Sequence, residues 1–200
     1  MSRAHPTSPR CVGCRMVVGY CICDTIVPIE TETRVVLIVH WMEWNKTTTT
    51  SALLNRVLID AEVKKRGHRE APLDLSEVLD DPTRRAVLLY PSDDAVPLDA
   101  FEHDGPLTLI VPDGTWRQAR KVRSRVPRLD TVPAVTLPVG AASGYRVRKN
   151  VRGDFALSTA EAVARALGIL EGAAVEAAVM RPFERMVQQT MRMRGRELRE

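Results

Sequence analysis

The sequence predicts an α/β protein whose mainly parallel sheet carries helices on both faces. Uncharged, β-branched runs at residues 35–39 and 107–111 are typical of buried strands. Other segments place apolar residues three and four positions apart, which is typical of amphipathic helices. The two kinds of segment alternate along the chain. This alternation predicts parallel strands joined by helical crossovers.

The composition predicts one soluble domain with at most a small appendage, since the chain has 200 residues of which 44% are hydrophobic. No apolar run is long enough to span a membrane, and residues 1–10 do not resemble a signal peptide. We therefore expect a cytoplasmic protein without membrane contact, and we favour a monomer without excluding a dimer. The net charge is +4, and residues 115–128 and 145–152 are basic and almost free of acids. Such segments indicate a polyanionic partner.

Four cysteines lie close together in the sequence: Cys11, Cys14, Cys21 and Cys23. In a reducing compartment, clustered thiols bind metal more often than they form disulfides. Four thiolates form a closed tetrahedral site, which suits structural zinc and leaves no position open for catalysis. We predict a zinc knuckle in residues 1–30 and an α/β domain in residues 31–200. A disulfide pair and unliganded thiols are the alternatives.

The first strand is predicted over residues 34–40. It ends in His40, and a second ionisable residue, Glu43, follows shortly after its carboxyl end. At the mouth of a strand they are candidates for a binding site. A structural role for His40 is the alternative. Four threonines at 47–50 offer capping hydroxyls for the next helix.

That helix has an apolar stripe beginning at Leu53, and we expect it to run to Arg66 and to end at Gly67. Beyond it, strands are predicted at 85–91, 107–111 and 134–138, and helices at 75–79, 116–126, 158–168 and 173–194. Prolines flank the strand at 134–138, which predicts a fourth or edge strand because proline cannot donate to the ladder. Pro182 is expected to kink or divide the last helix.

Asp113 follows a predicted strand and precedes a predicted helix, at the position where open α/β sheets bind ligands. Gly114 allows a tight turn, and Thr115 with Gln118 matches a helix capping box. The opposite face of this helix is basic and is formed by Arg117, Arg120, Lys121 and Arg125. This face is either a solvated helix surface or a binding surface.

A second group of polar residues lies between positions 143 and 161. Its loop carries cations with almost no acids: Arg146, Arg148, Lys149 and Arg152. A solvated helix face does not explain these cations, so they are candidates for phosphate contacts. Ser158 and Glu161 match another capping box, for which the simplest interpretation is a helix start.

Together these motifs resemble the DTW-domain family of tRNA-uridine aminocarboxypropyltransferases. The resemblance covers most of the chain and rests on the cysteine cluster, His40-x-x-Glu43, Asp113-Gly114-Thr115-Trp116-Arg117-Gln118-Ala119-Arg120-Lys121, Tyr145-Arg146-x-Arg148-Lys149 and Leu157-Ser158-Thr159-x-Glu161-Ala162. Their order and spacing agree with the family. Two positions depart from it: Trp41 stands where members usually have proline, and residues 46–51 lack the usual Asn-Thr-Gly.

The resemblance implies an α/β fold related to the SPOUT methyltransferases, with a C-terminal knot. It implies transfer of the 3-amino-3-carboxypropyl group from S-adenosylmethionine to N3 of a uridine in tRNA, with release of methylthioadenosine. The implied catalytic residues are Asp113, Thr115 and Trp116. The implied donor-binding residues are His40, Glu43, Pro112, Gly114, Arg117, Ser158, Thr159 and Glu161. The implied tRNA-binding residues are Arg120, Lys121, Tyr145, Arg146, Arg148 and Lys149.

Several roles stay open at this point. Asp113 either accepts the N3 proton or orients the uracil. Trp116 stacks on a base or on adenine, and Arg117 or Lys121 holds the methionyl carboxylate or a tRNA phosphate. Two other functions are alternatives: an RNA methyltransferase that uses the same donor, and a non-catalytic zinc-containing module that binds RNA. The acids Asp113 and Glu43 argue against the second, since a phosphate-binding surface gains nothing from them.

Overall fold

A computed structural model of the protein describes residues 8–44, 49–67, 73–138, 140, 143 and 157–195, with the backbone alone for Trp116. The strands are β1 (Arg34–His40), β2 (Ala61–Arg66), β3 (Arg85–Leu89), β4 (Val96–Pro97), β5 (Leu107–Asp113) and β6 (Ala134–Thr136). They form one sheet in the order β2-β1-β5-β3-β6-β4, and every pair is parallel. The predicted parallel sheet is confirmed.

Helices cover both faces of the sheet, as the sequence predicts. They are α1 (Trp41–Trp44), α2 (Thr50–Val57), α3 (Ser76–Leu79), α4 (Trp116–Arg125), α5 (Thr159–Glu171) and α6 (Ala173–Met193). Successive side chains of a strand point to opposite faces. Leu37 accordingly packs in the cluster covered by α2, α5 and α6, and its neighbour Ile38 packs in the cluster covered by α3 and α4. In the described part of the chain, no helix has the length and apolar character needed to span a membrane.

The structure corrects the helix predicted over residues 53–66. α2 ends at Val57, and the charged segment after it forms β2 at one edge of the sheet. The backbone between the two elements pairs with Ile29. Ile29 N–H donates to the carbonyl of Val57 at 2.7 Å, and Ile59 N–H donates to the carbonyl of Ile29 at 3.0 Å. These bonds end the helix, and the lysines of β2 suit an edge strand, where they discourage pairing with another chain.

Two further predictions each held two alternatives, and the structure contradicts one alternative of each. The strand predicted over 134–138 is not an edge strand, because β6 lies between β3 and the two-residue strand β4. A strand of two residues has no alternating pattern by which the sequence could reveal it. Pro182 does not divide α6, which continues through it with the proline buried. Proline removes one backbone donor from the helix, and the Pro182 ring is buried.

The N-terminal cysteine segment packs against the core on the α6 side of the sheet. Met16 and Ile22 are buried there, each with no more than 2% of its surface exposed. The hydroxyl of Thr190, in α6, lies 3.9 Å from the sulfur of Met16. The cysteine segment and the sheet therefore share one hydrophobic core.

Candidate functional site

A cavity of about 550 Å³ lies at the carboxyl ends of β3, β5 and β6, beside the start of α5. This is the position at which parallel α/β sheets bind ligands, and the volume lies in the range of small-molecule sites. The lining is mostly apolar, with a few hydroxyl groups. The described lining residues are Leu89, Tyr90, Pro91, Val111, Pro112, Gly114, Ala119, Val135, Thr136, Leu137, Pro138, Gly140, Leu157, Ser158, Thr159, Ala162 and Arg165.

Asp113 is half buried at the end of β5 and accepts hydrogen bonds at both carboxylate oxygens. Thr159 Oγ1 donates to Oδ1 at 2.6 Å, and Ser51 Oγ donates a short hydrogen bond to Oδ2. Ser51 lies in the first turn of α2, and Thr159 is the first residue of α5. The two hydroxyls therefore fix the orientation of Asp113. Asp113 does not itself line the cavity, but Thr159 does.

Both predicted capping boxes are confirmed. In α4, Thr115 N–H donates to Gln118 Oε1 at 2.7 Å, and Gln118 N–H donates to Thr115 Oγ1 at 3.3 Å. In α5, Ser158 and Glu161 make the equivalent pair at 2.7 and 3.3 Å. The Ser143 hydroxyl also donates to the buried Glu161 carboxylate at 2.8 Å. Thr115, by contrast, is exposed and outside the cavity.

The structure divides the predicted donor-binding set into two groups. Those that line the cavity are Pro112, Gly114, Ser158 and Thr159. Those that lie outside its lining are His40, Glu43, Arg117 and Glu161. Gly114 has a φ of +146°, and a Cβ at this position would lie 2.8 Å from Gln118 Oε1. Glycine at 114 therefore allows β5 to turn directly into the capping box of α4.

His40 and Glu43 form a separate polar group at the carboxyl end of β1. Met42 N–H donates to His40 Nδ1 at 3.3 Å, and Glu43 is 5% exposed. The pKa of His40 lies below its ordinary value because burial disfavours the imidazolium and the Arg66 guanidinium repels it. Gly67 has a φ of +94°. The absence of a side chain lets the backbone pass close to the His40 ring, since a Cβ at this position would lie 2.8 Å from His40 Nε2.

The basic face predicted for α4 is present, and Arg66 from the end of β2 adds to it. We call this set the α4 basic surface: Arg66, Arg117, Arg120, Lys121 and Arg125. The pKa of Lys121 is lowered by its neighbours, chiefly Arg125 and then Arg117. Mutually repelling cations of this kind attract anions. Arg123 differs from them, because Asp94 binds its guanidinium with two hydrogen bonds of 2.6 and 2.5 Å.

The four cysteine sulfurs lie within 4.8 Å of one another. Sγ–Sγ distances are 3.6 Å for Cys11–Cys23 and Cys14–Cys21, and 3.5 Å for Cys11–Cys21. A disulfide requires about 2.0 Å, whereas a zinc tetrahedron with Zn–S bonds of about 2.3 Å separates its sulfurs by about 3.8 Å. Hydrogen bonding from the backbone of Cys14 lowers the pKa of Cys11 to about 6, whereas burial raises the pKa values of Cys14 and Cys23, so the sulfur distances carry the assignment. The cluster thus fits a four-thiolate metal centre.

Arg15 connects this cysteine cluster to α1. Its guanidinium carbon lies 4.9 Å from the centroid of the Trp44 ring, and its Nη1 donates to the Trp44 carbonyl. Lys65 Nζ from β2 lies 4.9 Å from the same centroid. The Arg15 contacts attach the cysteine segment to α1, the helix that carries Glu43, and the Lys65 contact attaches β2 to the same ring.

Sequence reasoning missed Ser51 and Arg165. Ser51 follows the threonines that predict helix capping, but Thr49, the N-cap of α2, makes no side-chain capping bond. Nothing in the sequence indicates that Ser51 binds Asp113. Arg165 lies seven positions after Ser158, a spacing that places both residues on one side of a helix. Helical spacing could therefore have found it.

Some predicted site residues lie beyond the described part of the protein. They are Tyr145, Arg146, Arg148, Lys149 and Arg152 of the basic loop, together with the side chain of Trp116. Their roles stay predictions.

Comparison with known proteins identifies the family. The DTW domain profile matches residues 8–191. The chain is 31% identical over 170 residues to tRNA-uridine aminocarboxypropyltransferase 2 of Drosophila melanogaster, covering 81% of this chain and 66% of the relative. Proteins of the same name from Macaca fascicularis and Mus musculus are 29% and 28% identical over 184 and 186 residues, each covering 88% of this chain and 61% of the relative.

The chain thus spans no more than about two thirds of the length of these curated relatives. No solved structure matches it. Because the family profile covers most of the sequence, the chain belongs to the DTW domain family.

Proposed function

We propose that this protein transfers the 3-amino-3-carboxypropyl group of S-adenosylmethionine to N3 of a uridine in tRNA. The observation that carries the proposal is the environment of Asp113. Its half-buried carboxylate is oriented by two hydroxyls, at the end of β5 and next to a cavity of ligand size. The name of the relatives supports the transfer of an aminocarboxypropyl group to a uridine of tRNA.

The reaction requires a nucleophile, a leaving group and a proton acceptor. N3 of the uridine bonds to the γ-carbon of the methionyl chain, the bond from this carbon to sulfur breaks, and methylthioadenosine leaves. The proton on N3 must also depart. We assign Asp113 to accept this proton or to orient the uracil for the displacement.

The cavity fits the donor in volume and in chemistry. Apolar walls suit the adenine ring of the donor and the thioether of the methylthioadenosine that leaves. Pro112, Gly114, Ser158 and Thr159 would contact the donor there. Glu161 would act through Ser158, whose backbone N–H donates a hydrogen bond to the Glu161 carboxylate at 2.7 Å. Direct donor contacts by His40, Glu43 and Arg117, and the catalytic roles of Thr115 and Trp116, stay predictions.

The α4 basic surface suits the phosphates of tRNA, and the loop residues Tyr145, Arg146, Arg148 and Lys149 are predicted to add to it. The relation to SPOUT methyltransferases, the C-terminal knot, the monomeric state and the cytoplasmic location stay predictions as well.

We also propose that the four cysteines hold one structural zinc ion, because four soft donors leave no open coordination position. Metal analysis of protein purified without added metal should find about one zinc per chain. Protein without metal and with four titratable thiols would contradict this assignment.

The reaction is tested by incubating the protein with S-adenosylmethionine and tRNA and identifying the by-product by mass spectrometry. Methylthioadenosine, together with a uridine that has gained the aminocarboxypropyl group, is the expected result. S-adenosylhomocysteine would instead indicate methyl transfer. Neither by-product, with tRNA still bound, would indicate a non-catalytic RNA-binding module.

A further inference from the structure

Arg165 is the one charged side chain among the described residues that line the cavity. The other lining residues are apolar or carry a hydroxyl. A cation on the wall of a mostly apolar cavity favours a ligand that carries an anionic group, because Coulomb attraction is stronger away from water. Arg165 is half buried, so its guanidinium is partly shielded from solvent.

The fold directs Arg165 along the cavity wall. Ser158, Thr159, Ala162 and Arg165 are spaced along one side of α5, and all four line the cavity. Thr159 binds Asp113 at one end of this row. Arg165 lies six positions after Thr159, which is about 9 Å along the helix axis. The guanidinium reaches the backbone beyond β6, where a Cβ on Gly140 would lie 2.9 Å from Arg165 Nη1.

We infer that Arg165 binds the carboxylate of the aminocarboxypropyl group and so determines which end of the donor enters the cavity. The inference rests on the proposed function. A guanidinium matches a carboxylate with two parallel hydrogen bonds. With the carboxylate held at Arg165, the transferred group lies between Arg165 and Asp113, and the apolar walls are left for the nucleoside. Arg165 is thus a specificity-determining residue for the donor.

Calorimetric titration with two ligands tests this role. S-adenosylmethionine carries the aminocarboxypropyl group, with its carboxylate, on a sulfonium sulfur. Methylthioadenosine lacks this group and keeps the nucleoside and the sulfur, the latter as a neutral thioether. Arg165→Gln should weaken S-adenosylmethionine binding by about 10- to 100-fold, the usual effect of losing hydrogen bonds to a charged group. Methylthioadenosine binding should stay within about twofold of the parent.

Three further variants separate charge, position and general damage. Arg165→Lys keeps the charge without the planar fork, so an intermediate affinity for S-adenosylmethionine is expected. Gly140→Ala moves the guanidinium without changing charge and should weaken S-adenosylmethionine selectively. Arg181→Gln replaces an exposed arginine of α6 and should change neither affinity. Thermal unfolding of each variant checks that it is folded.

Two outcomes overturn the inference while leaving the proposed function intact. One is an equal loss for both ligands in Arg165→Gln, and the other is unchanged S-adenosylmethionine binding with weakened tRNA binding, which would assign Arg165 to a phosphate. If the parent protein binds neither ligand, the proposed function fails, and the inference fails with it.

Discussion

At the scale of single residues, Asp113 permits the sharpest test of the chemistry. Asp113→Asn keeps the size of the side chain and one acceptor oxygen but removes the charge. We expect single-turnover transfer to fall on the order of a hundred- to ten-thousandfold, as when a general base or orienting carboxylate is lost. The free energy of unfolding should fall by about 1 to 3 kcal/mol, because a hydrogen bond to a charged oxygen is weakened.

Ser51→Ala is the matched control for Asp113. It removes one orienting hydroxyl and leaves the carboxylate in place, so transfer should fall less than in Asp113→Asn. Near-parental transfer by Asp113→Asn would remove Asp113 from the mechanism. The sequence alone predicts little effect of Asp113→Asn on stability, because it places the residue at an open cleft. The hydroxyls of Ser51 and Thr159 change that expectation, and Ser51 comes from a segment distant in sequence.

His40 should respond to the charge of Arg66. Burial and Arg66 together lower the pKa of His40, so Arg66→Gln should raise that pKa towards the ordinary value of about 6.5 without restoring it fully. A histidine with a lowered folded-state pKa binds fewer protons than in the unfolded chain, so it makes stability fall as the pH drops through about 6.5. Arg66→Gln should reduce this fall. Imidazole titration by NMR measures the shift.

Arg181→Gln, an exposed substitution in α6, serves as the control for the titration of His40. This variant should leave the pKa of His40 unchanged from its value in the parent protein. An unchanged His40 pKa in Arg66→Gln would mean that burial alone sets the value.

At the scale of elements, α4 contains a matched pair of cations for testing RNA contact. Lys121 belongs to the α4 basic surface, whereas Asp94 binds Arg123 on the same helix. Lys121→Gln should lower the log–log salt slope of tRNA binding by somewhat under one unit, because one phosphate contact no longer releases counterions. Arg123→Gln should leave the slope nearly unchanged. If Lys121→Gln left the salt slope as unchanged as Arg123→Gln does, the basic face would be a solvated helix surface.

The elements also explain which parts of the fold the sequence could predict. β1 and β5 are confirmed because they are buried on both faces and therefore uniformly apolar. α4 and α5 are confirmed because their capping boxes lie within four consecutive residues. β2 was not predictable in this way, since it is polar and is defined by its pairing with β1. The end of α2 was not predictable either, since it depends on hydrogen bonds to Ile29, which is distant in sequence. Local patterns were informative where local chemistry decides the structure.

At the scale of the whole molecule, the sheet assembles a site from segments far apart in the chain. The sequence identifies Asp113, Ser158 and Thr159 as polar residues at element ends, and the structure brings Thr159 to Asp113. The position of Arg165 on the cavity wall depends on how α5 lies across the sheet. No local pattern specifies that packing.

The shared core predicts that the cysteine segment and the sheet unfold together. Met16 lies in the cysteine segment but is buried in the core that α6 covers. Met16→Ala should lower the free energy of unfolding by about 2 to 5 kcal/mol, the usual result of truncating a buried methionine. Val12, in the same segment, is fully exposed. Val12→Ala should therefore change the free energy of unfolding by no more than about 0.5 kcal/mol.

Urea unfolding followed by far-UV circular dichroism and by metal release provides the measurement. A single cooperative unit shows coincident transitions with both probes, and Met16→Ala should move both midpoints to lower urea by the same amount. If metal is released well before the sheet unfolds, and Met16→Ala shifts only that first transition, residues 1–30 form an independent domain. Coincident transitions would instead mean that the cysteine segment stabilises the sheet on which the candidate site is built.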